Sequence, residues 1–230
     1  MPDTILLALA LIPALVIAIV FHEVAHGWVA LLLGDPTAKE RRRLTLNPIR
    51  HVDPFGTLIL PGLLALTGAP VFGWAKPVPV NKWRLDNPRY GMMAVAAAGP
   101  GTNLVLAAIG AVLLGLLAGS LTAQPAGVLG FLLVSLQYFI SINIFLALFN
   151  LLPIPPFDGS HIVEGLLPRD AARTYEKLRP YGFPLLFLLL LVIPWLFPGL
   201  GIIEKVVLPP VLWAEGHYMA LAHWVALLVQ

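Results

Sequence analysis

The chain has 230 residues, of which 59% are hydrophobic and 11% charged, and its formal net charge is +2. A soluble domain carries roughly 25% charged residues, so this composition excludes an ordinary soluble protein and predicts an all-α polytopic protein of the lipid bilayer. Cysteine is absent, which excludes disulfides, a thiol nucleophile and thiolate metal ligands. We also expect no nucleic-acid partner.

The first predicted transmembrane span, about 4–33, contains a single charged residue. That residue, Glu23, lies in the sequence His22-Glu23-Val24-Ala25-His26. Residues four positions apart share a face of a helix, so both imidazoles can reach one metal ion while Glu23 lies beside it. H-E-x-x-H is the arrangement in which two imidazoles hold zinc and the glutamate accepts a proton from water. The alternative is a polar cluster that hydrogen-bonds to a neighbouring helix, but an ionisable group inside the membrane favours a functional site.

Basic residues fall in three clusters that predict which side of the membrane the loops occupy. The clusters are Lys39, Arg41, Arg42, Arg43 and Arg50; Lys76, Lys82, Arg84 and Arg89; and Arg169, Arg173, Lys177 and Arg179. The positive-inside rule places all three in the cytoplasm, and contacts with anionic lipids would place them on the same side. The amino end of the first span then faces outward.

The segment between the first two clusters is apolar but interrupted by proline and glycine. If residues 55–74 crossed the bilayer, the two clusters would face opposite compartments, so we expect a re-entrant segment. Residues 71–81 resemble a strand whose prolines suit only a sheet edge. Together they predict a small membrane-associated β-like re-entrant region over about 55–81.

The remaining spans bring the expected number of transmembrane helices to about five. Spans are predicted at about 91–119, 126–152 and 183–198, and 200–229 is either a fifth crossing or an interfacial helix. We therefore divide the chain into a catalytic membrane core, 1–168, and C-terminal helices, 169–230.

A third metal ligand is needed, because catalytic zinc usually has three protein ligands and one open position. Asp158 is the best-placed candidate, since it follows the third span on its return to the cytoplasmic side. Three prolines precede it, and such broken backbone at membrane depth is tolerated where it lines a wet cavity. The residue pattern alone leaves equally open that Asp158 caps a short helix over 160–167. His161, one helical turn further on, is a candidate to hydrogen-bond to a metal ligand and orient it.

Several motifs together resemble the site-2 protease family of intramembrane zinc metalloproteases. They are His22–His26, Gly73-Trp-Ala-Lys-Pro-Val-Pro-Val-Asn81, Ala98-Gly-Pro-Gly-Thr-Asn103 and Asn150-Leu-Leu-Pro-Ile-Pro-Pro-Phe-Asp158-Gly159. They cover most of residues 15–165, which corresponds to the family's three-helix catalytic core. The resemblance implies one Zn²⁺ per chain held by His22, His26 and Asp158, with Glu23 as general base. It also places Asn103 and Asn150 near the active site, where they would bind substrate or the oxyanion. The chain is similar to a compact short form of the family without a PDZ-like or nucleotide-binding domain.

The function expected from these features is cleavage of a single-span membrane protein near the cytoplasmic face of the cell membrane. A regulatory membrane partner is a further candidate partner. Two other functions compete with this one: a metal-ion transporter, and a scaffold that binds membrane helices without cutting them. The transporter is disfavoured because Glu23 is a carboxylate that is not a ligand and because the sequence offers no second set of His and Asp along a path. The scaffold is disfavoured because the H-E-x-x-H motif is intact.

Overall fold

The computed structural model describes residues 2–67, 73–121, 126–197, 199–201 and 203–230. Within these ranges all regular structure is helical, as the composition predicts. The α-helices are α1 (Pro2–Leu32), α2 (Thr37–Glu40), α3 (Leu60–Thr67), α4 (Pro88–Gly119), α5 (Gly127–Asn150), α6 (Asp158–Leu166), α7 (Arg169–Glu176), α8 (Gly182–Phe187), α9 (Ile193–Leu196) and α10 (Leu208–Val229). π-Helical turns cover Pro54–Ile59, Leu188–Val192 and Ile203–Val207, and 3₁₀ turns cover Pro48–His51, Lys82–Arg84 and Arg179–Tyr181.

Helices long and apolar enough to cross a membrane dominate the described chain. There are four such stretches in the described ranges: Ile5–Leu32, Pro88–Gly119, Gly127–Asn150 and Arg169–Leu196. They indicate a multi-pass membrane protein. Three of the spans predicted from sequence coincide closely with α1, α4 and α5, and the span predicted at 183–198 falls at the end of the fourth stretch.

The bundle is organised around α4, with α1 and α5 antiparallel to it. His22 contacts Asn103 of α4, whereas His26, further along α1, contacts Val95, which comes earlier in α4. Asn103 pairs with Asn143 of α5, whereas Gly110, later in α4, lies against Phe139 and Ile140, which come earlier in α5. The side chains where α4, α5 and α10 meet are small or branched and buried: Ala107, Ala111, Leu114, Ile140, Ile144, Val207, Val211, Ala214 and Ala222.

The last helix, α10, packs along α4 in the same direction. A Cβ added at Gly115 would lie 2.3 Å from the Ala222 carbonyl oxygen, and one at Gly119 would lie 2.5 Å from the Ala226 carbonyl oxygen. Small residues let helix backbones approach this closely in a membrane. Helix α10 thus packs on the bundle but is not among the four membrane-length stretches of the described residues, so the choice at 200–229 between a fifth crossing and an interfacial helix stays a prediction. Part of the predicted C-terminal region packs directly on the core, and the boundary at 168 stays a prediction.

The β-like region predicted over about 55–81 is wrong as to strands in the part the structure describes. Pro54–Ile59 and α3 are helical, residues 68–72 lie outside the described residues, and 73–81 form neither helix nor strand. The reason is local chemistry, because Pro77 and Pro79 have no N–H to give to a sheet ladder. The N–H of Lys76 instead donates to the His51 carbonyl oxygen, and that of Asn81 donates to the Asp35 carboxylate.

Candidate metal centre and active site

Two histidines of α1 form the first half of the site. Their rings lie edge to face with centroids 4.7 Å apart, as expected for positions one helical turn apart. Both are buried, with His22 7% exposed and His26 8% exposed. The predicted pairing of these side chains on one helix face is what the structure shows.

The outer ring nitrogen of each histidine faces an oxygen that can only accept a hydrogen bond. Nδ1 of His26 lies 2.7 Å from the Val95 carbonyl oxygen, and Nδ1 of His22 lies 2.6 Å from Oδ1 of Asn103. Nδ1 must therefore carry the proton in both rings, which leaves the Nε2 lone pairs pointing at the interior of the site. Neutral imidazoles in this tautomer are the form that binds a metal.

Asp158 completes the cluster from α6. Its Oδ2 lies 3.1 Å from Nε2 of His22 and 3.4 Å from Nε2 of His26. The ligand atoms of the three residues all lie within 4.8 Å of one another. Helix α6 is preceded by Phe157 as its N-cap, with no side-chain capping bond. The alternative reading of Asp158 as an N-cap is therefore wrong.

The loop between α5 and α6 is held in place by later parts of the chain. The Tyr175 hydroxyl donates to the Pro153 carbonyl oxygen at 2.6 Å. Gly182 of α8 lies against Pro155 and Pro156, where an added Cβ would come within 3.0 Å of Pro155. Phe157 is buried and packs edge to face on an aromatic ring of α5. These contacts fix the start of α6 and thus the position of Asp158.

The cluster suits a small cation. Oδ2 of Asp158 is buried without a hydrogen-bond partner, and when the two rings are neutral, in the tautomer set by their neighbours, the Nε2 atoms that face it carry no hydrogen. Three acceptors that converge without a donor repel one another unless a positive charge lies among them. Tetrahedral zinc with bonds of about 2.0–2.1 Å places its ligand atoms roughly 3.3 Å apart. The separations of 3.1 and 3.4 Å between Asp158 Oδ2 and the Nε2 atoms fit that requirement.

Gly99 of α4 lies directly against the two histidine rings. A Cβ there would lie 2.5 Å from Nε2 of His26 and 2.6 Å from Nε2 of His22. Glycine is thus required by the close approach of two rings to the α4 backbone. Gly99 belongs to the sequence motif 98–103, but the motif alone does not indicate this packing role.

Glu23, next to His22 on α1, is anchored by the segment 73–81. Its Oε2 accepts a hydrogen bond from the Val78 backbone N–H at 2.7 Å. Val78 is itself buried beside Gly27, one turn further along α1, where an added Cβ would lie 2.8 Å from a Val78 methyl carbon. The predicted base therefore has one oxygen held in place, while a carboxylate keeps further lone pairs for other partners.

Asn103 lies next to His22, but it donates both of its amide hydrogens to other acceptors. Its Nδ2 donates to the Ala18 carbonyl oxygen at 3.1 Å and to Oδ1 of Asn143 at 2.8 Å. With its Oδ1 facing His22, the amide orients that ring. The oxyanion or substrate role predicted for Asn103 lacks a donor in this arrangement.

Asn150 and His161 lie outside the cluster of metal-binding atoms. Asn150 donates to the Leu146 carbonyl oxygen within α5 at 2.9 Å. Arg179, which also pairs with Glu164, donates to Nδ1 of His161 at 2.8 Å. Burial, reinforced by the Arg179 charge, lowers the pKa of His161 to about 4, so this ring is neutral.

Asn143, which accepts a hydrogen bond from Asn103, lies outside all of the motifs recognised in the sequence. An amide inside an apolar helix needs a hydrogen-bond partner. An asparagine within the predicted third span therefore indicates a polar contact with a neighbouring helix.

Comparison with known proteins identifies the family. The family model described as Peptidase family M50 matches residues 120–193, which include α5 and Asp158. A Bacillus subtilis (strain 168) protein named "Putative zinc metalloprotease YwhC" is 43% identical over 194 residues, covering 81% of this chain and 83% of that protein. The chain belongs to peptidase family M50. This membership confirms the predicted resemblance and makes the chain a member of a zinc metalloprotease family.

More distant M50 relatives occur in mycobacteria. Two proteins named "Putative zinc metalloprotease Rip2" match: that of Mycolicibacterium smegmatis is 31% identical over 186 residues, covering 76% of this chain and 65% of its own length. That of Mycobacterium tuberculosis (strain H37Rv) is 30% identical over 200 residues, covering 82% of this chain and 73% of its own length. No solved structure matches the chain.

Proposed function

We propose that this M50 protein is an intramembrane zinc metalloprotease that hydrolyses a peptide bond in or near the transmembrane segment of a single-span membrane protein. One observation carries the proposal. The lone-pair atoms of His22, His26 and Asp158 converge inside the helix bundle without a donor among them, and Glu23 adjoins them on α1.

The depth of the site supports cleavage inside the membrane. His26 lies six residues before the end of α1 at Leu32, which is about 9 Å along the helix axis. Arg41, Arg42 and Arg43 follow that end, and the positive-inside rule assigns them to the cytoplasm. The proposed site thus reaches the part of a substrate helix nearer the cytoplasmic face.

Each residue has a distinct part in the proposed reaction. His22, His26 and Asp158 hold one zinc ion per chain. When bound, zinc supplies Lewis acidity, which lowers the pKa of water to about 7 and polarises a carbonyl. Glu23 accepts the proton of the attacking water and returns it to the departing amine. The Val78 N–H holds one oxygen of Glu23 so that the carboxylate stays at the site during both transfers.

Stabilisation of the developing negative charge needs a hydrogen-bond donor. Asn150 uses one amide hydrogen on Leu146, and we assign its other amide hydrogen to the substrate carbonyl oxygen. Asn103, whose Nδ2 already has two acceptors, orients His22 instead.

The test is cleavage of a panel of single-span model substrates by purified protein in detergent, with bound zinc measured for each variant. We expect wild type to cut at least one substrate, and Glu23→Gln to retain about one zinc per chain and cut none. Zinc in both proteins with cleavage by neither would contradict the proposal and favour a scaffold or a transporter. Zinc flux into proteoliposomes separates those two.

A further inference from the structure

Asn143 is a fully buried amide in the middle of α5, and its side chain does not touch the proposed metal ligands. Its exposed fraction is 0%. Its Nδ2 donates to the Phe139 carbonyl oxygen at 2.8 Å, and its Oδ1 accepts from Nδ2 of Asn103 at 2.8 Å. A buried amide in an apolar helix costs free energy unless both of its ends are hydrogen-bonded, and here both ends have a partner.

The contacts form a chain with a fixed polarity that ends at the metal site. The Phe139 carbonyl oxygen can only accept, so Asn143 must present its NH₂ group there and its oxygen to Asn103. The Ala18 carbonyl oxygen can also only accept. Asn103 must therefore present its NH₂ group to Ala18 and Asn143 together. The oxygen of Asn103 then faces His22, whose Nδ1 must carry the proton.

We propose that Asn143 is a positioning residue that keeps His22 in its metal-binding tautomer by preventing Asn103 from flipping. This inference rests on the proposed metal centre. A flipped Asn103 would present NH₂ to Nδ1 of His22, which favours the tautomer protonated at Nε2 and removes the lone pair that would bind zinc. The flip would place the Asn103 oxygen next to two other oxygens, those of Ala18 and Asn143, and both would repel it. If Asn143 is replaced by an apolar residue, only the Ala18 oxygen opposes the flip, so the flipped form becomes more populated.

The inference predicts a loss of zinc affinity on replacing a residue that lies two contacts away from the metal. Zinc affinity is measured by competition with a chromophoric chelator for wild type, Asn143→Leu, Asn103→Leu and the double variant. Loss of a residue that hydrogen-bonds to a metal ligand typically weakens metal affinity about 10–100-fold. Asn143 acts one contact further away, so we expect Asn143→Leu to weaken zinc binding about 10-fold. Asn103→Leu should weaken it more, and Asn143→Leu should have no further effect in that background.

Two controls separate positioning from packing. Ser135→Ala on the same helix removes a hydroxyl that donates only to the Phe131 carbonyl oxygen, and it should leave zinc affinity unchanged. Histidine-selective ¹⁵N NMR of zinc-free protein should show His22 protonated at Nδ1 in wild type and Ser135→Ala, and a population protonated at Nε2 in Asn143→Leu. If leucine prevents folding, Asn143→Ala tests the same loss without added bulk.

Each outcome supports or overturns a specific claim. Wild-type zinc affinity in Asn143→Leu, or an equal loss with and without Asn103, would overturn the positioning role while the proposed function stands. Absence of zinc binding by wild type would overturn both. Binding without proteolysis by wild type would overturn the proposed function alone, because affinity and tautomer still report on Asn143.

Discussion

Replacement of Gly99 by alanine puts one methyl group into the gap between α4 and the two histidine rings. The added Cβ would lie 2.5 Å from Nε2 of His26 and 2.6 Å from Cε1 and Nε2 of His22. Ordinary contact begins at about 3.4 Å, so the separation between α4 and each of the two rings must grow by about 0.8–0.9 Å. Each ring is hydrogen-bonded through Nδ1 to α4 itself, at Val95 or Asn103, so a ring that moves away from α4 stretches that hydrogen bond.

Movement of that size is too large for a zinc ligand. Zinc–nitrogen bonds vary by only about 0.2 Å around 2.0–2.1 Å, so a ring displaced by about 0.9 Å loses its bond or its Nδ1 partner. We therefore expect Gly99→Ala to weaken zinc binding by at least about 100-fold, the upper end of the effect of disturbing a ligand's support. Cleavage activity should fall with zinc occupancy.

Chelator competition on purified protein measures the effect, and Gly101→Ala is the matched control. Gly101 lies on the same helix two residues away, and its added Cβ meets nothing within 4 Å. It should bind zinc as wild type does, apart from the slight gain in helix propensity that alanine brings. Wild-type zinc affinity in Gly99→Ala would refute the arrangement of the two rings against α4.

Three further predictions concern the residues around the site. Asp35→Ala should lower the free energy of unfolding in detergent by about 2–4 kcal/mol, because the fully buried carboxylate accepts from the backbone N–H of Asn81 at 2.6 Å. An unchanged melting temperature would contradict this. Val78→Pro should lower kcat about 10-fold or more at unchanged zinc content, since it removes the N–H that holds Glu23, whereas Val78→Ala keeps that N–H and should stay near wild type. Equal kcat in the two Val78 variants would contradict the anchoring role. His161 has its pKa lowered to about 4, below its unfolded value of 6.5, so its contribution to stability is full above pH 6.5 and is lost between pH 6.5 and 4. The loss should amount to about 3 kcal/mol and be absent from His161→Gln, and parallel stability–pH curves for the two proteins would show the shift to be wrong.

Patterns within single helices carried most of the correct predictions. The four-residue spacing of His22 and His26 fixes their common face through helix geometry alone, and the apolar runs predict α1, α4 and α5 closely. Asp158 follows from a combination of chain direction and broken backbone. Its approach to both histidines is a tertiary fact that the motif resemblance implied and the structure displays. Zinc binding by these residues stays a prediction.

Features that depend on contacts between distant segments could not be predicted from the sequence. Residues 71–81 were predicted to resemble a strand because alternation of side chains does not reveal what the backbone pairs with. In the described part, 73–81, the partners of the backbone N–H groups include the Glu23 and Asp35 side chains. The role of Asn103 depends on which acceptors surround its NH₂ group, and that requires the positions of Ala18 and Asn143. Neither acceptor is visible from the spacing of the motif that contains Asn103.

The most direct test of zinc-dependent proteolysis is a reconstitution titration. Zinc is removed with a chelator and returned in steps, while bound metal and cleavage of a susceptible single-span substrate are measured in wild type and Glu23→Gln. The account predicts that cleavage by wild type rises in proportion to bound zinc and stops at one ion per chain, with equal binding and no cleavage in Glu23→Gln. Cleavage that is independent of zinc, or equal in the two proteins, would contradict it.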